Sequence, residues 1–235
     1  MIRRAVGVTG ELLVTAGVLV LLFVVWQLHW TDLTSERAQA AAVDALQERW
    51  DTAPAPTARA AAPTAPAAPA VPDVDQTPPT GDAFAITYVP RFGSDYAVPV
   101  VEGIGAEELE DGIGHYPGTA MPGGVGNFAI AGHRVTYGKP FHRVAELQEG
   151  DAVVVATADR WYTYRVRRHR IVTPQQVEII APVPDRPGEQ PTEAWLTMTA
   201  CHPMYSARER YIVYAQLESS QDRADGPPAS LAAVG

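Results

Sequence analysis

A single cysteine, Cys201, is all the sequence contains, so no intramolecular disulfide can staple the fold. There is no surplus of positive charge either. The formal net charge is −9, and a protein that neutralises phosphates needs a basic face, which argues against a nucleic-acid partner. No internal repeat is present. Charge is missing altogether from residues 12–28, and hydrophobic periodicity is missing from residues 51–81. These last two absences mark segments that obey different physics from the rest.

The uncharged run extends back to Val6 if Glu11 is tolerated, which brackets the roughly 20 residues needed to cross a hydrocarbon core. Arg3 and Arg4 precede it and favour the cytoplasmic side, while Trp26 and Trp30 lie at the far end, where indole rings favour the headgroup level. Residues 1–30 are therefore expected to form a cytoplasmic tip and one transmembrane helix, with the lipid bilayer as partner and the remainder outside the cell membrane. Ala38-Gln39-Ala40 resembles a signal-peptide cleavage site, but Asp32, Glu36 and Arg37 intervene and the site lies far beyond the apolar run. A retained anchor is the reading.

Residues 31–81 read as a juxtamembrane helix and a linker. The stretch 35–50 is rich in helix formers, yet alanine buries little surface, so the helix is expected to be marginal. Residues 51–81 are mostly Ala, Pro and Thr, and proline at this density leaves an extended, semi-rigid tether. Residues 219–235, again Ala, Pro, Gly and Ser, read as a disordered tail.

Residues 82–218 are long enough to bury one core. Branched and aromatic runs predict strands at 84–89, 96–101, 127–131, 152–156, 161–172, 195–199 and 211–217, with turn signals such as Gly93-Ser94-Asp95 and Glu149-Gly150-Asp151 between them. Helices are plausible only at 106–110 and 140–147. The class is mainly β, with a closed barrel or a sandwich as the solution. Arg165, Arg167, Arg168, His169 and Arg170 crowd one strand. They read as a solvated face, the sharper alternative being a docking site for an anionic cell-wall polymer.

A lone thiol in an exported chain is either a small buried hydrophobe or a nucleophile. Cys201 ends an apolar run and is followed at once by His202-Pro203, which favours the nucleophile. Such a thiol needs an acid or base and a group to hold the charge that develops on the attacked carbonyl. His29 lies at the membrane edge, His142 and His169 sit in ordinary surface patterns, and His202 would point to the opposite strand face from Cys201. His115 and His133 remain, and His133 follows the buried-looking strand and Gly132, at the mouth of a polar turn. Arg208 and Arg210 both precede the last strand and offer a permanent cation. Cys201, His133 and Arg210 converge if the strands at 195–199 and 211–217 are neighbours.

Histidine, cysteine and arginine in this chain order, behind a membrane anchor, resemble the sortases, the cysteine transpeptidases of Gram-positive bacteria. The family motif Thr-Leu-x-Thr-Cys is matched by Thr197-Met198-Thr199-Ala200-Cys201, and Arg210-Tyr211-Ile212-Val213 resembles the arginine that opens the last strand. The run Gly114-His115-Tyr116-Pro117-Gly118-Thr119, the run from Gly132 to Phe141, and Cys201-His202-Pro203 resemble the class E, actinobacterial subgroup more closely. Two positions depart from the motif. Met198 for leucine is nearly volume-conserving, whereas Ala200 for threonine removes a hydroxyl beside the cysteine.

The resemblance implies a closed eight-stranded β-barrel with a few short helices, preceded by the membrane helix. It implies Cys201, His133 and Arg210 as catalytic residues, Tyr116, Thr199 and Ala200 as substrate-binding residues, and no cofactor or metal. The implied partners are exported proteins carrying a C-terminal sorting signal, Leu-Ala-x-Thr-Gly for class E, and a peptidoglycan precursor amine. Glu107, Glu108, Glu110 and Asp111 evoke the calcium site of some sortases, but they show only spacing, and a charged helix surface accounts for them. A different exported cysteine peptidase, or a non-catalytic wall-binding module, is the alternative reading.

Overall fold

Strands form where branched and aromatic residues supply one buried face after another, and glycine-bearing turns separate them. The computed structural model describes residues 2–52 and 77–232. A continuous helix α1 (Ile2–Thr52) comes first. It is followed by β1 (Ala83–Tyr88), β2 (Ala97–Glu102), α2 (Ala106–Asp111), β3 (Ile113–His115) and β4 (Gly126–Ala131). Then come β5 (Ala152–Ala156), β6 (Arg160–Val172), β7 (Ala194–His202), β8 (Glu209–Asp222) and the single turn α3 (Ala229–Ala232). Most of the expected tether, residues 53–76, lies outside the described residues.

The strands close into a barrel in the order β1-β2-β3-β4-β7-β8-β6-β5, with β5 pairing back onto β1. Closure removes every free sheet edge, which settles the choice between barrel and sandwich. Two neighbouring pairs run parallel, β2 with β3 across the α2 crossover, and β4 with β7. The interior is filled by Val100, Ile113, Phe128, Ile130, Val153, Leu196, Met198 and Val213, all fully buried. Met198 thus occupies a core position, where an unbranched thioether fills leucine's space.

Within α1, Val6–Val24 is long and apolar enough to cross a membrane, and none of it is buried against the rest of the protein. Beyond it the helix docks on the barrel. Val43 and Leu46 bury against Ile86, which faces outward from β1, and Trp50 packs with Tyr88. The stretch 35–50 is therefore no marginal element: apolar residues at 43, 46 and 50 fall on one face, and that stripe supplies the burial that alanine cannot.

Other expectations change as well. The tail expected to be disordered from Ser219 continues β8 to Asp222, because Arg160, Trp161, Tyr162 and Thr163 of β6 pair with it. Leu231 of α3 packs beside Trp161. Residues 140–147 form no α-helix, only a 3-10 turn at Val144–Glu146, since the Pro140 carbonyl is held by the Tyr96 hydroxyl at 2.8 Å and Arg143 reaches the Phe92 carbonyl. β3 is an additional strand, too short for its pattern to show.

Candidate active site

Register builds the site. β4 and β7 run parallel with Ala131 beside Thr199, so the residues two further along each chain, His133 and Cys201, arrive at the same end of the barrel. β7 then pairs antiparallel with β8, and Cys201 stands directly opposite Arg210. One cleft of about 210 Å³ is lined by His133, Cys201, Arg210, Tyr116, Thr199 and Ala200, with Ile104 and Leu109 among its walls. All six residues singled out in the sequence share that cleft.

Cys201 is a free, half-buried thiol. Alternation along β7 puts Thr197, Thr199 and Cys201 on one face and Leu196, Met198 and Ala200 on the other. Ala200 is 2% exposed and packs in the core, so it meets the cleft only as part of its floor. The Thr199 hydroxyl donates to the Ile130 carbonyl at 3.3 Å. The Tyr116 hydroxyl, 3.1 Å from it, is left to act as the donor to Thr199.

His133 is half-buried, and burial holds its imidazole below the usual histidine value, with the Glu110 carboxylate pulling the other way. The ring is therefore neutral at pH 7 and able to accept a proton. Tyr137 lies beside it, ring centroids 5.1 Å apart, and a hydrogen bond to Glu110 holds the Tyr137 phenol above its ordinary value.

Arg210 is half-buried and donates from Nη1 to the carbonyls of Ala207 and Glu209, both at 3.0 Å. Arg208 is exposed and precedes β8. Of the two arginines left open by the sequence, only Arg210 lines the cleft.

Three residues beside the site went unread in the sequence. Arg134, 7% exposed, donates from Nη1 to the Cys201 carbonyl at 3.2 Å and lies 3.0 Å from His202 Nδ1, fixing the end of β7 from behind. Tyr137 is the second. Both fall within the Gly132 to Phe141 run that carried the family resemblance, which was the available signal. Glu102 is the third: it meets His115 through the parallel pairing of β2 and β3, and nothing in the spacing reveals it.

His115, the other histidine left open by the sequence, is a fully buried strand residue and does not line the cleft. Its Nδ1 lies 2.5 Å from Glu102 Oε2, and Nε2 lies 2.9 Å from Thr119 Oγ1 and 3.2 Å from the Ala120 carbonyl. Thr119 donates its own proton to the Tyr116 carbonyl at 2.8 Å, so Nε2 must be the donor to both oxygens. His115 thereby ties down the loop that follows Tyr116.

The arginine-rich strand β6 is answered within the fold: Arg168 and Arg170 pair with Asp185, and Arg165 with Glu218. Among the described residues no group of three or more His, Cys, Asp or Glu side chains converges as metal ligands would.

Residues 87–218 match the sortase domain model of the sortase family. Sortase SrtE1 of Streptomyces coelicolor is 33% identical over 233 residues, an alignment that covers 94% of this chain but only 60% of that protein. Among solved structures, sortase E from Streptomyces avermitilis is 43% identical with a TM-score of 0.59, covering 65% of this chain and 98% of that one. Sortase E1 from Streptomyces coelicolor, solved with a tripeptide in the active site, is 34% identical with a TM-score of 0.59, covering 64% of this chain and 97% of that one.

Proposed function

This chain belongs to the sortase family, in its class E branch, and from that premise we propose that it is a cysteine transpeptidase for exported proteins bearing a C-terminal sorting signal. The observation that carries the proposal is the convergence of a free thiol, a neutral imidazole and a guanidinium on one cleft, set by the pairing of β4, β7 and β8.

The chemistry follows from the groups. Neutral His133 takes the proton of the Cys201 thiol, and the resulting thiolate attacks the carbonyl carbon of the signal's threonine, so that a C–S bond forms while the carbonyl oxygen takes up negative charge. Arg210, exchanging its bonds to Ala207 and Glu209, holds that oxyanion together with backbone amides. As the Thr-Gly C–N bond breaks, imidazolium His133 gives its proton to the departing glycine nitrogen, leaving a thioester and a neutral ring. A peptidoglycan precursor amine then attacks the thioester and passes a proton to His133, and the sulfur departs as thiolate, to which His133 returns the proton. The exported protein ends joined to the wall by a new amide.

Tyr116 and Thr199 line the cleft as a bonded pair of hydroxyls. They are suited to hold the backbone of a signal in which alanine replaces proline, since such a peptide lacks proline's fixed φ and must be held by the enzyme. The preferred signal is accordingly Leu-Ala-x-Thr-Gly. The anchor at Val6–Val24 fits a single-pass protein with its N-terminus in the cytoplasm and its barrel outside.

The test is turnover by the full chain of Leu-Ala-x-Thr-Gly and Leu-Pro-x-Thr-Gly peptides with an added amine, read by mass spectrometry. An amide joining the threonine carbonyl to the amine is expected, formed faster from the alanine peptide. Neither peptide being cut contradicts the function, and a preference for proline contradicts the assigned signal.

A further inference from the structure

The turn that carries His133 is held in an unfavourable backbone conformation. Tyr137 (φ 52), Gly138 (φ 72) and Lys139 (φ 49) lie consecutively in the left-handed region. Glycine adopts it freely, but a side chain clashes there, and such residues persist only where their surroundings fix them. Here the fixing groups come from α1, nearly a hundred residues away in sequence.

Each of the three residues is touched by that helix. Gln39, 4% exposed, donates from Nε2 to the Tyr137 carbonyl at 3.0 Å. Its amide also lies against Gly138, where an added Cβ would stand 2.9 Å from Oε1. Lys139 pairs with Asp32 at 2.7 Å. Gln39 Nε2 reaches the Glu110 carbonyl as well, at 3.4 Å, so one side chain spans the turn and α2.

Those two contacts converge on His133. Tyr137 brings its ring beside the imidazole, and Glu110 is both the partner of the Tyr137 hydroxyl and the carboxylate that acts on the histidine. Docking of α1 needs no polar residue here, because Val43 and Leu46 supply the apolar contact. A buried amide is costly unless its hydrogen bonds are met, and the Gln39 Nε2 group donates to the turn at Tyr137 and to α2 at Glu110.

We infer that the juxtamembrane part of α1 belongs to the active site, with Gln39 as the positioning residue that clamps the turn bearing His133. The inference rests on the catalytic reading of His133. It makes the stretch between membrane and barrel part of the machinery instead of a spacer.

The experiment uses the full chain in lipid nanodiscs and Gln39→Met, which keeps the length and loses both donors. Amide hydrogen exchange in residues 134–141 is expected to quicken, and kcat to fall about tenfold, as small displacements of a catalytic group cost. KM for the peptide and the thermal midpoint should stay as in the wild type, because Gln39 does not line the cleft. Unchanged exchange or unchanged kcat overturns the clamp, and so does a loss of kcat matched by losses of midpoint and peptide binding. Wild type and His133→Ala run alongside: an inert wild type or an active His133→Ala defeats the transpeptidase reading, while the exchange rates still decide whether Gln39 holds the turn. If Gln39→Met does not fold, Asp32→Asn, which removes only the pair to Lys139, must show faster exchange in the same turn, and wild-type exchange there overturns the clamp.

Discussion

At Arg210 the chemistry asks for a planar fork as well as a charge, because an oxyanion is held best by donors fixed in direction. Lysine keeps the charge and loses the fork. Arg210→Lys is expected to lower turnover by about 10²- to 10³-fold, the loss typical of an oxyanion donor, while Arg208→Lys, on the exposed residue outside the cleft, stays near the wild type. The reverse pattern would move the role to Arg208. His133 makes a second prediction. Resolving the thioester requires neutral imidazole; burial lowers the His133 pKa and Glu110 raises it. Glu110→Gln leaves the lowering cause unopposed, so with a given amine the acid limb of thioester aminolysis should move to lower pH, further below histidine's ordinary ~6.5. Cys201 is acylated at that stage and does not compete for the titration. A limb that stays or moves upward contradicts the role of Glu110. Cys201, His133 and Arg210 could be read in the sequence because each ends or opens a recognisable strand. Gln39 and Glu110 could not, since their contacts with the turn cross long stretches of chain and follow no local period.

Among the elements, the long strands were legible because alternation and branched residues repeat over several positions, as in β5 and β6. β3 was not: three residues, one of them glycine, give no period, yet its pairing to β2 and β4 closes the barrel beside the cleft. The juxtamembrane helix was hard to read for a different reason: alanine dominates its composition, and the stripe that docks it on β1 is only Val43, Leu46 and Trp50. Leu46 is 1% exposed, and Leu46→Ala should cost about 2–5 kcal/mol of packing. The expected readout is a lower thermal midpoint of the full chain in nanodiscs and faster exchange in β1. Leu22→Ala, exposed within the apolar span, is the control and should leave both unchanged. Equal midpoints for the two variants would mean that the helix does not support the barrel.

Taken whole, the molecule uses one helix both as anchor and as brace. Asp32 and Gln39 meet the His133 turn, while Asp51, a few turns further on, pairs with Arg223 at 2.9 Å, so α1 runs along the barrel from the cleft end toward the other. At about 1.5 Å per residue, Gln39 lies roughly 20 Å beyond Val24. In the proposed topology the His133 turn is therefore nearer the bilayer than Arg223 is. The proposed transpeptidation depends on the sulfur of Cys201 becoming acylated. The most direct measurement is intact mass spectrometry of the full chain, quenched in acid after mixing with a Leu-Ala-x-Thr-Gly peptide without amine. An adduct with the mass of the peptide up to its threonine is expected, located on Cys201, discharged by hydroxylamine and absent from Cys201→Ala. Peptide cleavage that persists in Cys201→Ala, or an adduct on any other residue, would contradict it.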